Sequence, residues 1–213
     1  MLFRSVDNFK TIEVRWFYPG VLPTELLRWF NSLTKPDTRT DVYLQSNSPD
    51  MGLKLRQGNL EVKYRQAELG TIEVDGFGNS QVEQWSKWIC IDDSSSLTPE
   101  QIADKPGWIK VAKIRHQRLY QVEFGDEIQL RSIFTPTEGA AAIEVTQLQV
   151  EDRIWWTIAC EYLGDNIDLD RQFYPLVKSL LFACPLPIFT SVISCGYPEW
   201  LNQNHRDNRI YTD

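Results

Sequence analysis

Thr11–Phe17 reads TIEVRWF, and the alternation inside it decides the fold. Glu13 and Arg15 occupy one parity, while Ile12, Val14 and Trp16 occupy the other. Side chains two apart on a strand share a face, so this segment is expected to be a strand with one charged row and one apolar row. The plan recurs outward along the chain. MGLKLRQ at 51–57 alternates Lys54 and Arg56 with Leu53 and Leu55, and LEVKYRQ at 60–66 sets Glu61, Lys63 and Arg65 against Leu60, Val62 and Tyr64. WIKVAKIRHQ at 108–117 adds Lys113 and Arg115. The apolar rows must be buried, which leaves the charged rows as either a solvated sheet face or the lining of a water-filled barrel.

Between and beyond these strands the pattern changes period. Tyr18-Pro19-Gly20 ends the first strand, and Pro23 can open a helix whose apolar positions are Leu26, Leu27, Phe30 and Leu33. Asp41–Gln45 reads as a short strand, and Gln57-Gly58-Asn59 as a tight hairpin connection. After Asp75-Gly76-Phe77-Gly78, Ser80 and Glu83 form a capping-box signature ahead of the stripe Val82, Trp85, Trp88 and Ile89, which predicts a second helix. Thr98-Pro99-Glu100-Gln101 caps a short third one. At least four strands follow (WIKVAKIRHQRLYQVE, EIQLRSIF, AAIEVTQLQV and RIWWTIACEYL), then a final helix over roughly 169–182, stopped at Cys184-Pro185. NQNHRDNRIYTD reads as a polar, frayed tail. One domain over 1–213 is expected, with its core at about 9–182 and the tail at about 198–213.

The composition narrows the function classes. With 213 residues, 42% of them apolar, and eight tryptophans, the chain can build an ample core. A net charge of −7 argues against a general nucleic-acid binder, so cations clustered within an acidic protein point to a small anion instead. No apolar run reaches the roughly 18 residues of a membrane span, and MLFRSVDNFK lacks the apolar core of a signal peptide. A cytoplasmic protein without a membrane partner is the expectation. Cys90, Cys160, Cys184 and Cys195 have no metal-ligand spacing and are expected to be reduced and buried.

Extending the parity through the later strands adds Glu127, Gln129 and Arg131, then Glu144 and Thr146, then Thr157 and Glu161. If these strands close into an antiparallel β-barrel with helices packed on the outside, an α+β fold, the interior collects Arg15, Lys54, Arg56, Lys63, Arg65, Lys113, Arg115 and Arg131. Glu13, Glu61, Glu127, Glu144 and Glu161 stand among them. Such crowding of like charge is unfavourable unless an anion offsets it, and a multiply charged phosphate is the expected occupant. Arginine offers it bidentate hydrogen bonds and lysine a point charge, while clustered carboxylates could hold Mg²⁺ or Mn²⁺ against the phosphate oxygens. His116 falls on the opposite parity, and Trp85, Trp88, Trp155 and Trp156 read as core. Taken strand by strand, a solvated sheet face with weak cross-strand ion pairs is the simpler explanation of the cations.

In order and character, the residues from about Phe9 to Phe182 resemble the CYTH or triphosphate-tunnel family, which includes adenylate cyclases, thiamine triphosphatases and inorganic tripolyphosphatases. The resemblance runs through the acid-and-cation first strand and helix, the D-x-Y strand (Asp41-Val42-Tyr43) and the L-x-L-R strand (Leu53–Arg56). It continues through a strand bearing Lys63, a K-x-R strand (Lys113, Arg115), the acidic strand of Glu144, and an E-x-x-G end (Glu161–Gly164). By this resemblance Arg15, Lys54, Arg56, Lys63, Arg65, Lys113 and Arg115 would clasp phosphates, and Glu13, Glu144 and Glu161 would be the metal set. The chain departs from the family where Thr11 and Ala159 stand in place of acids and Arg15 in place of a lysine. Phosphate binding with weak or absent metal-dependent triphosphate hydrolysis is therefore expected. An active triphosphatase and a lipocalin-like binder of an organic ligand are the rivals.

Overall fold

Alternation of inward and outward side chains persists around a closed ring in the computed structural model, which describes residues 3–31, 35–92, 98–185 and 192–206. The chain runs β1 (Phe3–Pro19), α1 (Thr24–Phe30), β2 (Asp37–Leu44), β3 (Met51–Arg56), β4 (Asn59–Val74) and β5 (Gly78–Asp92). It continues through α2 (Pro99–Ile102), β6 (Trp108–Glu123), β7 (Gln129–Ile133), β8 (Ala140–Val150) and β9 (Arg153–Leu163). A wide helical turn (Leu169–Phe173) leads into α3 (Tyr174–Leu180), and β10 (Ile193–Ser194) precedes α4 (Tyr197–Arg206). Eight strands pair in the order β1-β5-β4-β3-β2-β6-β8-β9, and β9 pairs back onto β1. Every pairing is antiparallel, and the return of β9 to β1 closes these eight strands into a barrel.

Local sequence explains most boundaries. β3 and β4 join through Gln57 (φ 50°) and Gly58 (φ 81°), two left-handed residues whose twist suits a two-residue hairpin. α2 carries the expected reciprocal cap between Thr98 and Gln101. Ile12, Val14 and Trp16 face outward, where Leu26 and Phe30 of α1 and Leu176 and Val177 of α3 cover them in one buried cluster. Leu33, expected at the end of α1, lies outside the described residues.

The structure corrects three expectations. The segment around Ser80–Ile89 is not a helix but β5, paired with β1 on one side and β4 on the other. Its capping signature is used differently: Ser80 Oγ accepts the Trp16 indole N–H at 2.8 Å, and Glu83 meets Arg65. Hydrogen-bonding partners on both edges and a run rich in aromatic and β-branched residues override the helical spacing. EIQLRSIF does not complete the barrel; β7 pairs only with β6. Nor is the C-terminal region from 198 all frayed tail, because α4 enters one end of the barrel, so not every helix lies outside. Trp200 and Leu201 are buried there with Phe17, Tyr43, Ile109, Val111 and Leu148, and residues 207–213 lie outside the described residues.

Candidate functional site

The register orders the inward side chains along the barrel axis. At one end stand Lys87, Arg56, Asp37 and Arg115; in the middle stand Glu13, Glu61, Lys63, Lys54, Asp41, Lys113 and Glu144. At the other end Phe17, Tyr43, Ile109 and Leu148 meet α4. Gly196 allows the chain to enter, since a Cβ there would come within 2.5 Å of the Trp85 ring. Trp200 then stacks on Phe17 at 4.5 Å, and Tyr197 reaches under the Lys113 ammonium, 4.0 Å from ring centre to Nζ. The tunnel is thereby a cup, open at one end and floored by α4.

The cup encloses about 140 Å³. Eight cations line it: Arg15, Arg39, Lys54, Arg56, Lys63, Lys87, Lys113 and Arg115. Four carboxylates accompany them: Glu13, Glu61, Glu144 and Glu161. Six of the eight cations expected from sequence are therefore in the lining. Arg65 is inward but sits beside the floor, held by Asp50, by Glu68 at 3.0 Å, by Glu83 at 2.5 Å and by Glu199 of α4 at 3.4 Å; it anchors α4 and does not line the cup. Arg131 does not belong to the lumen, because β7 lies off the barrel and Arg131 is exposed on it.

Counter-ions decide the protonation states. Arg15 lies 2.5 Å from Glu144 and 3.9 Å from Glu13, and although burial opposes its charge, these two carboxylates hold its pKa above the ordinary value. Burial also opposes ionisation of Glu144 and Glu61, but Arg15 and Arg115 outweigh it for the first and Lys54 and Lys87 for the second, bringing both pKa values down to about 2. Asp41 is fully buried among Lys113 (3.1 Å), Arg39 (3.1 Å) and Lys54 (3.6 Å), which hold its carboxyl below the usual range against the effect of burial. Lys113 shares that one aspartate with the other cations, and burial pushes it down to about 7. Glu161 goes the other way, raised by burial and by the neighbouring Glu13.

The three carboxylates of the expected metal set all line the cup, and Glu13 and Glu161 are directly opposite across β1 and β9. Glu13 is engaged by Lys63 at 2.7 Å and Glu144 by Arg15. Among the described residues, no group of three or more His, Cys, Asp or Glu side chains is assembled to hold a metal ion. Buried polar atoms nevertheless remain without hydrogen bonds in the lining: Arg15 Nε, Arg115 Nε, Glu13 Oε1, Glu61 Oε2 and Thr146 Oγ1. The arrangement is a donor-rich cup with its acids largely committed to cations.

Sequence reasoning missed Arg39, Asp41, Lys87 and Tyr197. Arg39 continues the parity of Asp41 and Tyr43 and would have emerged had the strand been extended two residues earlier; Asp41 already opened that strand but was not assigned to the site. Lys87 was hidden by the helical reading of β5, and Tyr197 by reading its neighbourhood as the approach to a frayed tail. No protein-family model matches this chain, and no curated protein matches it. Among the described residues, no helix is long and apolar enough to cross a membrane.

Proposed function

We propose that the cup binds a small, multiply charged phosphate, in the manner of the CYTH or triphosphate-tunnel proteins that the strand motifs resemble. The observation that carries this reading is the lining: eight cations in about 140 Å³ against four carboxylates of the lining and the two inward aspartates of β2, Asp37 and Asp41, so that cations outnumber acids. That volume is well below the roughly 300–1,000 Å³ of pockets for drug-sized organic ligands, and the lining is charged where a lipocalin-like site would be apolar. Polyphosphate chains supply many acceptor oxygens in a narrow form. Guanidinium groups of Arg15, Arg56 and Arg115 would take them with paired hydrogen bonds, and the ammonium groups of Lys54 and Lys63 as point charges.

Triphosphate hydrolysis is proposed to be weak or absent. A bound Mg²⁺ or Mn²⁺ would polarise the terminal phosphate and activate water. Its only acidic partners in the lumen near Thr11 and Ala159 would be Glu13, Glu144 and Glu161, and two of these already neutralise Lys63 and Arg15.

Calorimetry and thermal melting with inorganic tripolyphosphate test the binding. At a hundredfold excess over Kd a ligand adds about 2.7 kcal/mol, roughly a 5–10 °C rise for a chain of this size. Arg56→Ala with Lys63→Ala should abolish the rise, and an equal rise from chloride would reduce the effect to ionic screening. Turnover of tripolyphosphate, thiamine triphosphate or ATP with Mg²⁺ or Mn²⁺ at about 1–10³ per second, lost on Glu144→Gln or Glu161→Gln, would replace the binding reading with the active triphosphatase.

A further inference from the structure

Two aspartates of β2 face the same lumen and are used in opposite ways. Asp41 is fully buried, and its partners enclose it. Asp37 stands at the open end with its side chain 37% exposed, yet three arginines converge on it. Arg39 pairs with its Oδ2, Arg115 reaches the same oxygen at 3.2 Å, and Arg56 reaches it at 3.6 Å. The three come from β2, β6 and β3, so adjacent strands supply the cluster from different directions.

Asp41 also meets Arg39 at 3.1 Å, Glu61 meets Arg56 at 3.6 Å and Glu144 meets Arg115 at 3.7 Å, yet at the mouth the three guanidinium forks share one carboxylate oxygen and Arg115 Nε is left without a hydrogen bond. Each fork can give two parallel N–H bonds, and a phosphate with three terminal oxygens would offer each arginine its own acceptor. Asp37 also sits at a boundary. It lines a second cavity of about 460 Å³ outside the barrel mouth, together with Arg118, Tyr120 and Phe134, and Arg115 lines both that cavity and the cup. An anion moving from the outer cavity, which Lys35 and Arg118 also line, toward the cup therefore passes the Asp37 carboxylate at Arg115.

We infer that Arg39, Arg56 and Arg115 form an entry subsite for a phosphate group, occupied by the Asp37 carboxylate as a resident counter-ion that a tetrahedral oxyanion displaces. The inference rests on the anion-binding reading of the cup and adds a selectivity step to it. Displacement exchanges one anion for another without any covalent step. A monocarboxylate such as acetate offers no more oxygens than Asp37 and gains nothing by exchange. Phosphate and its chains gain acceptors, so the mouth favours them over carboxylates of similar charge.

Titration calorimetry of inorganic tripolyphosphate, sulfate and acetate into the wild type and into Asp37→Asn, Asp37→Glu and Asp104→Asn tests this. Asp37→Asn removes the competing charge with little change of shape and should tighten tripolyphosphate roughly tenfold, a gain on the order of one strong charge-assisted contact. Asp37→Glu should restore wild-type affinity. Asp104 lines neither cavity, pairs with Lys110 and is 84% exposed, so Asp104→Asn makes the same change in net charge and should leave affinity within about twofold. Acetate should bind weakly to every form. Equal tightening by Asp104→Asn, or no tightening by Asp37→Asn in a protein that binds tripolyphosphate, would overturn the entry subsite and leave the cup reading standing. Binding by neither the wild type nor Asp37→Asn would remove both. Binding by Asp37→Asn alone would support the subsite in its strongest form.

Discussion

On β1 the inward positions run Glu13, Arg15, Phe17; on β6, read in the same axial direction, they run Arg115, Lys113, Val111, Ile109; on β8, Glu144, Thr146, Leu148, Val150. The same face of the same strands thus changes from charged to apolar along the axis. The change coincides with the reach of α4, whose Trp200 and Leu201 need an apolar bed, and Tyr197 stands at the junction with its ring under Arg15 and Lys113. Two chemistries share one barrel because alternation fixes which face a residue is on but leaves its character free to vary with depth. The floor is a core that happens to lie inside, and the open half is a charged surface, the part of the barrel to which the proposed anion is assigned.

The sharpest way to break this contrast is to attack the floor. Trp200 is fully buried and stacked on Phe17. Trp200→Ala should lower stability by about 3–5 kcal/mol, read as a shift of the denaturant midpoint. Arg56→Ala, at the open end and partly exposed, should change stability far less while weakening anion binding. If the two substitutions destabilise equally, the ends are not energetically distinct.

A second prediction concerns Lys113, where the two halves meet. Its neighbours are Asp41, Tyr43 and Arg39 of β2, Lys54 of β3, Arg15 of β1, Glu144 of β8 and Tyr197 of α4. Burial lowers its pKa from 10.5 to about 7. For a folded-state pKa below the unfolded one, the stabilising contribution is complete above about 10.5 and is lost as pH falls toward 7. Anion binding has the opposite dependence, since it needs the charged form. Affinity for sulfate, whose own charge is constant in this range, should fall as pH rises from 6 to 9, approaching tenfold per unit above about 7 if one proton is coupled. Lys113→Met should bind as weakly at pH 6 as the wild type does at pH 9, with a flat profile. A slope that survives this substitution would move the titration to Lys54, which burial also lowers.

How much of this was legible depends on whether one face of a segment was buried and the other charged. β1, β3 and β4 set an apolar row against a charged one, and parity placed Arg15, Lys54, Arg56 and Lys63 inward, as they are; on β6 the row of Lys113 and Arg115 also carries Ile109 and Val111, while Lys110, Ala112 and Ile114 on the other row are exposed, so the two inward cations there were reached by analogy with the other strands. β5 did not: Trp85 faces the lumen and Trp88 the outside, so both faces are aromatic and period two is masked by a stripe that also fits a helix. α4 presents only Tyr197, Trp200 and Leu201 as apolar positions, too few for a periodicity to stand out against NQNHR. Arg65 shows a different limit. Parity put it on the correct face, but its depth relative to α4, which makes it an anchor rather than a lining residue, is set by the register of the whole barrel and is not written in any one strand.

Arg131 gives the smallest expected effect and the cleanest control. In the sequence it belongs to the same alternating series as the lumen cations, with Ile128 and Leu130 on the other parity. In the fold, β7 pairs with β6 alone through Arg131 opposite Gln121, beyond the part of β6 that lines the cup. Its side chain is exposed, so its charge is screened within about 8–10 Å at ordinary salt. Arg131→Ala should therefore leave stability within about 0.5 kcal/mol and tripolyphosphate affinity within about twofold, an effect small enough that calorimetry at two ionic strengths is needed to resolve it. A loss comparable with that of Arg56→Ala would mean that the β6–β7 flap closes over the mouth when the anion is bound, and that the division between the charged open half and its surroundings is drawn in the wrong place.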